Sequence, residues 1–359
     1  MSPLPPPVGG IARWTERLLP LLQARGVEVV HLDTAVRWRR PEQRELWRRV
    51  AGSMWPTLQE LLRCWQTLRR ERPALLHLTS SAGLASLRDA LILRLARWAG
   101  CPAVVHYRTE LMGHNLGWAR RLVVPAAARV VVLDSRTWAR LRPDLPEGKL
   151  VRLPNFVALQ QADNWLAAAG QPCDHELRVL FTGRLDRAKG VVSLIEACAH
   201  LRERFPQLRL ELVGPCEGDL GTGQPEWVCR PGVLEPPQVF ARLARCHLFV
   251  LPSRGEGFPN SVLEAMAAAR PVVATSVGAL EEMLGPQDGH GPAGWLYSPQ
   301  APAALSEVLA EALSCASERE KRGREGRRRV ELHYSCERVL SALIGLWQGV
   351  ARNGPRCSR

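Results

Sequence analysis

The apolar positions of this chain fall into short continuous runs that are separated by amphipathic stretches. The clearest example lies between residues 247 and 275, where HLFVL (247–251) and PVVAT (271–275) predict two buried strands. Between them, residues 260–269 are good helix formers, and Pro271 ends the helix. A strand, a turn, a helix and a second strand in this order are typical of a parallel sheet.

The same alternation runs through the whole chain. It predicts an α/β fold of two doubly wound, Rossmann-like domains, the first over residues 1–165 and the second over 166–335. The polar, alanine-rich stretch 160–176 suits a linker between them. In the first half, strands are expected at 27–32, 74–79, 103–107, 129–133 and 150–153; in the second half, at 177–182, 208–213 and 227–234.

One expected strand is missing from the first domain. The turn at Gly9 and Gly10 should follow a first, central strand, yet few residues precede Val8 and four of them are prolines. Because proline cannot donate to a strand ladder, this stretch does not predict a central strand.

Composition narrows the class of protein. Ten cysteines are scattered with no C-x-x-C pair, which favours reduced cysteines in the cytosol and no zinc site. No secretory signal and no apolar run of roughly 18 residues is present. Almost all of the net charge of +13 lies before residue 166, without a nucleic-acid-binding motif.

The basic half contains a tryptophan-rich segment from Arg37 to Arg70. Tryptophans among arginines are typical of a helix in an anionic membrane interface. The alternative is an amphipathic helix that packs on the sheet with a solvated basic face, and the pattern favours this alternative.

Two groups of charged residues follow predicted strands. His106 and Arg108 alternate at the end of the 103–107 strand, where an α/β ligand crevice opens. In the second half, GRLDRAKG places Arg184 and Lys189 in a turn bounded by Gly183 and Gly190, where cations and free N–H groups suit a diphosphate.

Two acids mark the stretch from 251 to 275. Glu256 lies in the turn after the strand, and Glu264 lies in the helix that follows, so both can face one ligand. A helix N-terminus favours phosphate and carboxylates suit sugar hydroxyls, which together suggest a sugar nucleotide. The fingerprints G-x-G-x-x-G and G-x-x-x-x-G-K-[ST] are absent, so nothing indicates a nicotinamide cofactor or P-loop chemistry.

These motifs carry a family resemblance. EGFPNSVLEAMA, preceded by GRLDRAKG and followed by PVVATSVGALEEML, resembles the retaining nucleotide-sugar glycosyltransferases of family 4, also called glycosyl transferases group 1. The resemblance implies a GT-B fold, with two Rossmann-like domains facing a central cleft. It also implies an N-terminal acceptor domain, a C-terminal nucleotide-sugar domain, and a last helix (336–359) that crosses back to the first domain.

The resemblance assigns roles residue by residue. It implies that Arg184 and Lys189 bind the donor diphosphate, that Glu256 holds the transferred sugar, and that Glu264 binds the ribose hydroxyls. The family histidine corresponds to His106, or its place is taken by Arg108. Backbone contacts to the donor would come from Gly9, Gly10, Gly183, Gly257, Phe258 and Asn260.

We therefore predict transfer of a sugar from a nucleotide diphosphate donor to a hydroxyl acceptor, with retention and without a metal or cofactor. The acceptor would be a glycan, a lipid-linked molecule or a polysaccharide precursor, at a cytoplasmic site that includes the inner membrane surface. The alternatives are a catalytically weak GT-B binding or scaffold protein and a nucleotide-sugar epimerase.

Overall fold

The chain folds into two compact units. A computed structural model describes residues 1–6, 9–35, 46–83, 85–170, 175–216, 225–287, 289–301 and 303–353. The first unit comprises Met1–Leu153 and the chain from Leu340, and the second is Pro154–Val339. Residues 154–165, which the sequence assigns to the first domain, thus lie in the second unit.

The first unit alternates strands and helices. Its strands are β1 (Leu76–Ser80), β2 (Ala103–Tyr107), β3 (Arg129–Val132) and β4 (Leu150–Arg152). Its helices are α1 (Gly10–Ala24), α2 (Leu46–Glu71), α3 (Ala85–Trp98), α4 (Gly113–Trp118) and α5 (Ser135–Leu141), with a π-turn at Ala119–Val123 and 3-10 turns at Val124–Ala126 and Arg142–Asp144.

The four strands form one parallel sheet in the order β1-β2-β3-β4. Every side chain of β2 is buried, as expected for a parallel strand that is covered on both faces. Leu78, Val105 and Val130 contribute to the core together with Ile92 of α3. The predicted strands at 74–79, 103–107, 129–133 and 150–153 are therefore confirmed with small shifts of their ends.

Two residues at the start of the chain extend this sheet beyond β1. The Met1 amino group donates to the His77 carbonyl (2.7 Å), and Thr79 N–H donates to the Met1 carbonyl (3.0 Å). On its other side, Ser2 N–H donates to the Leu32 carbonyl (3.2 Å). Main chain from Met1 and Ser2 thus lies between β1 and residues 32–34, at the place of the expected first strand.

The predicted strand at 27–32 is wrong. Residues 27–32, which the structure describes, form no strand, and the nearest pairing is an isolated parallel bridge between Ser2 and Asp33, directly after them. The physical reason lies in the segment that would pair with this strand. Pro3, Pro5 and Pro6 follow Ser2 and have no N–H to donate, so a strand ladder cannot continue there.

The second unit repeats the alternation with six strands. These are β5 (Leu177–Thr182), β6 (Leu208–Val213), β7 (Val228–Gly232), β8 (Leu248–Leu251), β9 (Val272–Thr275) and β10 (Gly294–Tyr297). Its helices are α6 (Leu159–Ala167), α7 (Val191–Leu201), α8 (Pro236–Arg245), α9 (Asn260–Ala267), α10 (Leu280–Leu284), α11 (Ala304–Ser314) and α12 (Ala316–Arg329), followed by a π-turn at Val330–Tyr334 and by α13 (Cys336–Asn353).

The strand order of the second sheet defines where a ligand binds. The order is β10-β9-β8-β5-β6-β7, and all neighbours are parallel. The chain therefore adds β6 and β7 on one side of β5, and β8 to β10 on the other. In such doubly wound sheets, ligands bind beyond the carboxyl ends of the strands at the point where the order reverses. That point lies between β5 and β8.

The predicted linker at 160–176 is largely wrong, since most of its described part is helix α6 and it ends just before β5. The Trp165 ring packs on Phe240 of α8, with centroids 5.2 Å apart. Asp163 accepts two hydrogen bonds from Arg327 of α12, at 2.5 and 3.0 Å. Alanine-rich polar sequence is also typical of an exposed helix, which is why composition misled here. Residues 171–174 lie outside the described part.

A fully buried arginine fastens the end of this unit. Arg329 has no exposed surface, and its Nε donates to Glu325 (2.9 Å). Its other nitrogens donate to the carbonyls of Met283 (2.8 Å), Gly285 (2.7 Å) and Gly291 (2.7 Å). One side chain therefore satisfies three backbone carbonyls in the last turn of α10 and in the loop that follows it.

We expect Arg329→Met to lower the free energy of unfolding by about 2–4 kcal/mol, because three carbonyls and a carboxylate lose their donor. The control is Arg324→Met on the same helix, whose side chain is 71% exposed. An exposed arginine of this kind contributes at most about 1 kcal/mol. Thermal unfolding midpoints of the two variants measure the difference, and equal midpoints would contradict it.

Candidate active site

Two turns meet at the reversal point of the second sheet. The first, 183–190, leaves β5, and the second, 252–259, leaves β8. Arg254 N–H of the second turn donates to the Ala188 carbonyl of the first (3.0 Å). Gly190 has φ +72°, and a Cβ there would lie 2.1 Å from the Pro252 carbonyl oxygen. Glycine at 190 is therefore required for the two turns to touch.

The contact brings the predicted cation and acid together. Lys189 Nζ donates to Glu256 Oε1 at 2.6 Å, with side-chain exposures of 23% and 11%. The sequence predicted both residues but assigned them to separate parts of a ligand. Their direct ion pair was missed because 67 residues separate them and no local pattern reports the pairing.

Asp186 shapes the first turn around Lys189. Its carboxylate accepts from Lys189 N–H at 2.8 Å, and Arg184 Nη2 lies 3.4 Å from its second oxygen. Arg184 is about half exposed, so its guanidinium reaches solvent from the same turn. The first turn thus presents two cations just before the N-terminus of α7.

The second turn leads into helix α9. Phe258 is buried and its ring lies against Tyr334, with centroids 5.4 Å apart. Asn155 Nδ2 donates to the Phe258 carbonyl at 2.6 Å. Since the side chain of Phe258 is enclosed, a ligand can be reached only by its main chain. Asn260 opens the helix, where the first backbone N–H groups have no partner within the helix.

Glu264 lies one turn into α9 and is 9% exposed. Glu256 and Glu264 therefore sit on the turn and on the helix that continues from it, as the spacing predicted.

A glycine beyond β9 supports the turn that carries Glu256. Gly278 has φ +54°, and a Cβ there would lie 2.0 Å from the Glu256 carbonyl oxygen. Ala279 N–H donates to the Gly257 carbonyl at 3.0 Å, and Thr275 Oγ1 donates to the Ser253 carbonyl at 2.5 Å. Sequence reasoning did not identify Gly278; the signal was a glycine three residues after the PVVAT strand.

Gly183, predicted at the start of the first turn, has φ +150°. Its carbonyl oxygen would lie 1.9 Å from a Cβ at Gly214, which follows β6. Close backbone approach at the carboxyl ends of β5 and β6 therefore requires glycine at 214 and leaves room beside the first turn.

Gly9 and Gly10 lie at the start of α1 in the first unit. Both are exposed, Gly9 has extended backbone, and a Cβ at either position would meet nothing within 4 Å. Packing of the protein thus does not require glycine at either position, and the predicted approach to a ligand stays a prediction.

His106 lies in a buried aromatic cluster on β2. Its ring packs edge-on against Trp14 and His77, at 5.4 and 5.5 Å between centroids. Its Nε2 accepts from Arg108 Nη1 at 3.3 Å, because a guanidinium can only donate. The Arg108 guanidinium lies 4.1 Å from the Trp14 ring centre. The predicted neighbourhood of His106 and Arg108 is confirmed, whereas a catalytic role for His106, whose side chain has no exposed surface, stays a prediction.

Burial sets the charge state of this cluster. Desolvation, with Arg108 and His77 as smaller causes, holds the pKa of His106 well below its usual value. Desolvation likewise lowers the pKa of His77 to about 3 and that of Arg108 to about 9. His77 Nδ1 accepts from Trp347 Nε1 of α13 at 3.0 Å, which requires the neutral imidazole.

Neither metal ligands nor membrane spans are evident in the part of the chain that the structure describes. No group of three or more His, Cys, Asp or Glu side chains could hold a metal ion there. No helix among those residues is long and apolar enough to cross a bilayer.

Fold and site together define a class of protein. Two α/β units with parallel sheets, of which the second carries charged turns at its reversal point, are the GT-B arrangement. Residues 8–161 match the family described as Glycosyltransferase Family 4, and residues 176–315 match Glycosyl transferases group 1. The chain belongs to glycosyltransferase family 4.

Individual relatives match over part of the chain. The MMP alpha-(1->4)-mannosyltransferase of Mycolicibacterium hassiacum is 33% identical over 45% of this chain and 40% of its own length. The D-inositol 3-phosphate glycosyltransferase of Salinispora arenicola is 34% identical over 50% of this chain and 43% of its own. The chain spans less than half the length of these curated relatives.

Solved structures share the fold. Sucrose-phosphate synthase from Thermosynechococcus elongatus superposes with a TM-score of 0.72 at 20% identity, covering 96% of this chain and 94% of that one. Anabaena HepE in complex with UDP gives a TM-score of 0.64 at 17% identity over 81% and 82% of the two chains. These likenesses confirm the predicted GT-B fold.

We expect Gly278→Ala to destabilise the second unit, because its Cβ would overlap the Glu256 carbonyl and its φ is unfavourable for alanine. The loss should be at least about 2 kcal/mol of unfolding free energy. Gly255→Ala is the control, since a Cβ at Gly255 meets nothing within 4 Å and lies in the same turn as Glu256. A thermal midpoint unchanged in Gly278→Ala would refute this account of the turn.

Because these histidines are neutral in the folded protein, the free energy of unfolding is expected to depend on pH. An unfolded histidine binds a proton below about pH 6.5, but His77 in the folded unit does so only near its pKa of about 3. Stability contributed by His77 is thus present above about pH 6.5 and is lost as the pH falls through this window. We expect His77→Gln to flatten the decline by about 1.4 kcal/mol per pH unit, measured as urea-unfolding free energy from about pH 6 to about pH 4. Parallel curves for the two proteins would rule this out.

Proposed function

We propose that this chain transfers a sugar from a nucleotide diphosphate donor to a hydroxyl acceptor, with retention of configuration. The observation that carries the proposal is the Lys189–Glu256 ion pair at the reversal point of the second sheet, beside the N-terminus of α9. Family membership and the mannosyl- and inositol 3-phosphate glycosyltransferase relatives support hexosyl transfer.

The diphosphate of the donor fits the first turn. Lys189 and Arg184 are the two cations that precede α7, and the helix start adds backbone N–H groups and a positive dipole end. A lysine ammonium has three N–H donors and gives one to Glu256, which leaves two for phosphate oxygens. We propose that these groups replace a metal ion in neutralising the departing nucleotide.

The transferred sugar fits beside Glu256. One carboxylate oxygen of Glu256 binds Lys189, and the other can accept hydrogen bonds from sugar hydroxyls. The pair therefore places the sugar and the leaving diphosphate against one charged unit. Glu264, on the helix that continues from this turn, is the proposed partner of the ribose hydroxyls.

The leaving diphosphate is itself the proposed base. In a retaining transfer without a covalent intermediate, it departs on the face that the acceptor attacks and takes up the acceptor proton. Glu256 then positions the sugar and does not form a bond to it. Cations at Arg184 and Lys189 stabilise the charge that develops on the diphosphate, which is where donors contribute most to the rate.

The acceptor half of the proposal lies in the first unit. Arg108 is positioned there by the neutral His106 and by Trp14, while exposed backbone at Gly9 and Gly10 leaves space for the proposed approach to the donor. We propose a glycan or a lipid-linked acceptor, and a chain that works in the cytoplasm at the membrane surface.

Two variants distinguish the proposed contacts to the diphosphate from the proposed contacts to the sugar. We expect Lys189→Ala to weaken UDP binding and to lower kcat/KM for transfer by about 10²–10³-fold, as loss of a charged donor to a transition state does. Glu256→Gln should keep UDP affinity near wild type and lose transfer to a similar extent. The measurements are calorimetric UDP binding and transfer from a panel of nucleotide sugars to a mixture of acceptors.

Arg187→Ala is the matched control, since Arg187 is an exposed cation in the same turn and has no proposed contact with the donor. Transfer by both site variants at the wild-type rate would contradict the proposal. An isomerised donor without an acceptor would indicate an epimerase, and UDP binding without transfer or donor hydrolysis would indicate a binding protein.

A further inference from the structure

Helices α2 and α3 carry an apolar surface that the core does not use. We call it the tryptophan face; its members on α2 are Trp55, Leu58, Leu62 and Trp65, and those on α3 are Leu87, Leu91 and Trp98. Trp98 is 76% exposed and Trp55 is 67% exposed. Of the ten large apolar side chains that are exposed among the described residues, six belong to this face.

The core occupies the opposite sides of the same helices. On α2 the buried side chains are Cys64 and Leu68, and on α3 they include Ile92 and Leu93. A surface helix of an isolated globular protein has one apolar stripe and a polar opposite side. Apolar residues on both sides therefore indicate that something else covers the second side.

The two helices form a groove on this face. Its volume is about 510 Å³, and its lining is apolar apart from Arg94. At one end the rings of Trp65 and Trp98 stack, with centroids 4.7 Å apart and planes at 11°. The stacked indoles join α2 to α3 at this end of the groove.

Cations lie at the tryptophan face. Arg69 lies over the Trp65 ring at 5.1 Å, and Arg94 lines the groove. Arg63 and Arg70 are further exposed arginines among the described side chains of α2. Among the described side chains of α2 and α3, Glu71 is the exposed acid, while Glu60 lies 3.3 Å from Arg88 and pairs with it.

We propose that the tryptophan face docks on an anionic phospholipid bilayer. Leucine and tryptophan side chains enter the boundary between headgroups and acyl chains, where indole rings are favoured. The arginines bind lipid phosphates while their stems lie along the apolar surface. The excess of cations matches a surface of anionic lipid, and the proposal stands on these helices without depending on the donor site.

Residues 37–45 and the side chains of 46–54 lie outside the described part of the chain. For the segment from Arg37 to Arg70, the side chains that support the membrane interpretation are therefore described only from residue 55 onward. The tryptophan face also includes α3, which the sequence did not associate with it. The amphipathic interpretation is right for Cys64 and Leu68, and under our proposal the membrane interpretation applies to the other side of the same helix.

The test is flotation of the full chain with vesicles. We expect binding to equal parts of phosphatidylcholine and phosphatidylglycerol at low salt, with much weaker binding to phosphatidylcholine alone. Leu62→Ser combined with Leu91→Ser should lower the partition coefficient by about tenfold or more, because two apolar side chains no longer leave water. Arg69→Gln combined with Arg94→Gln should lower it similarly on anionic vesicles only.

Matched controls come from the second unit. Val233→Ser with Leu332→Ser removes two exposed apolar side chains elsewhere, and Arg324→Gln removes an exposed cation. Both should bind like the wild type, and wild-type thermal midpoints show that each variant is folded. Equal binding of neutral and anionic vesicles, or no loss in either test variant, overturns the proposal. A dimer that the leucine variants abolish, without vesicle binding, would assign the face to a second copy and overturn it too.

Discussion

The candidate site depends on the close approach of backbone to backbone at the carboxyl ends of the second sheet. The turn after β5 touches the turn after β8 because Gly190 has no side chain to meet Pro252, and the turn with Glu256 rests on Gly278 for the same reason. These contacts fix the Lys189 and Glu256 side chains at 2.6 Å. A larger residue at 190 or 278 would push the turns apart before any charged group is changed. The glycines are therefore required for the backbone approach that brings the charged side chains together.

Given that geometry, the ion pair can do more than stabilise the fold. A pair that is largely removed from water gains little net stability, because desolvation offsets the attraction between the charges. The pair instead holds two charged groups in one place, and each group keeps hydrogen-bonding capacity for a ligand. The ammonium retains donors and the carboxylate retains an oxygen, which is why we propose that the pair binds a phosphate and a sugar on one preformed surface. Preformed charge of this kind is most useful to a reaction whose transition state separates charge.

The sequence predicts this site in part, for physical reasons that differ from residue to residue. Local sequence predicts four of the site residues, because glycine and proline mark turns and helix starts: Arg184, Lys189, Glu256 and Glu264. The contact between Lys189 and Glu256 is not local, and neither is the support from Gly278. Residues 27–32 form no regular strand because a ladder depends on its partner, and prolines after Ser2 withhold the donors. Helix α6 looks like a linker because its fixing contacts, Asp163 with Arg327 and Trp165 with Phe240, lie far away in sequence.

The two units use charge at different ranges. In the second unit, Lys189 is paired and Arg184 lies in the turn before a helix start, so the effect of these two cations is confined to a few ångströms. In the first unit, exposed arginines such as Arg69 and Arg94 border the tryptophan face, and the attraction to an anionic surface that we propose for them extends about a Debye length, roughly 8–10 Å in ordinary salt. A donor nucleotide needs a few fixed cations at a defined distance, whereas a bilayer has no fixed partner atoms and is recognised by an excess of cations beside apolar side chains. The basic composition of the first half is thus a property of its surface and not of the donor site.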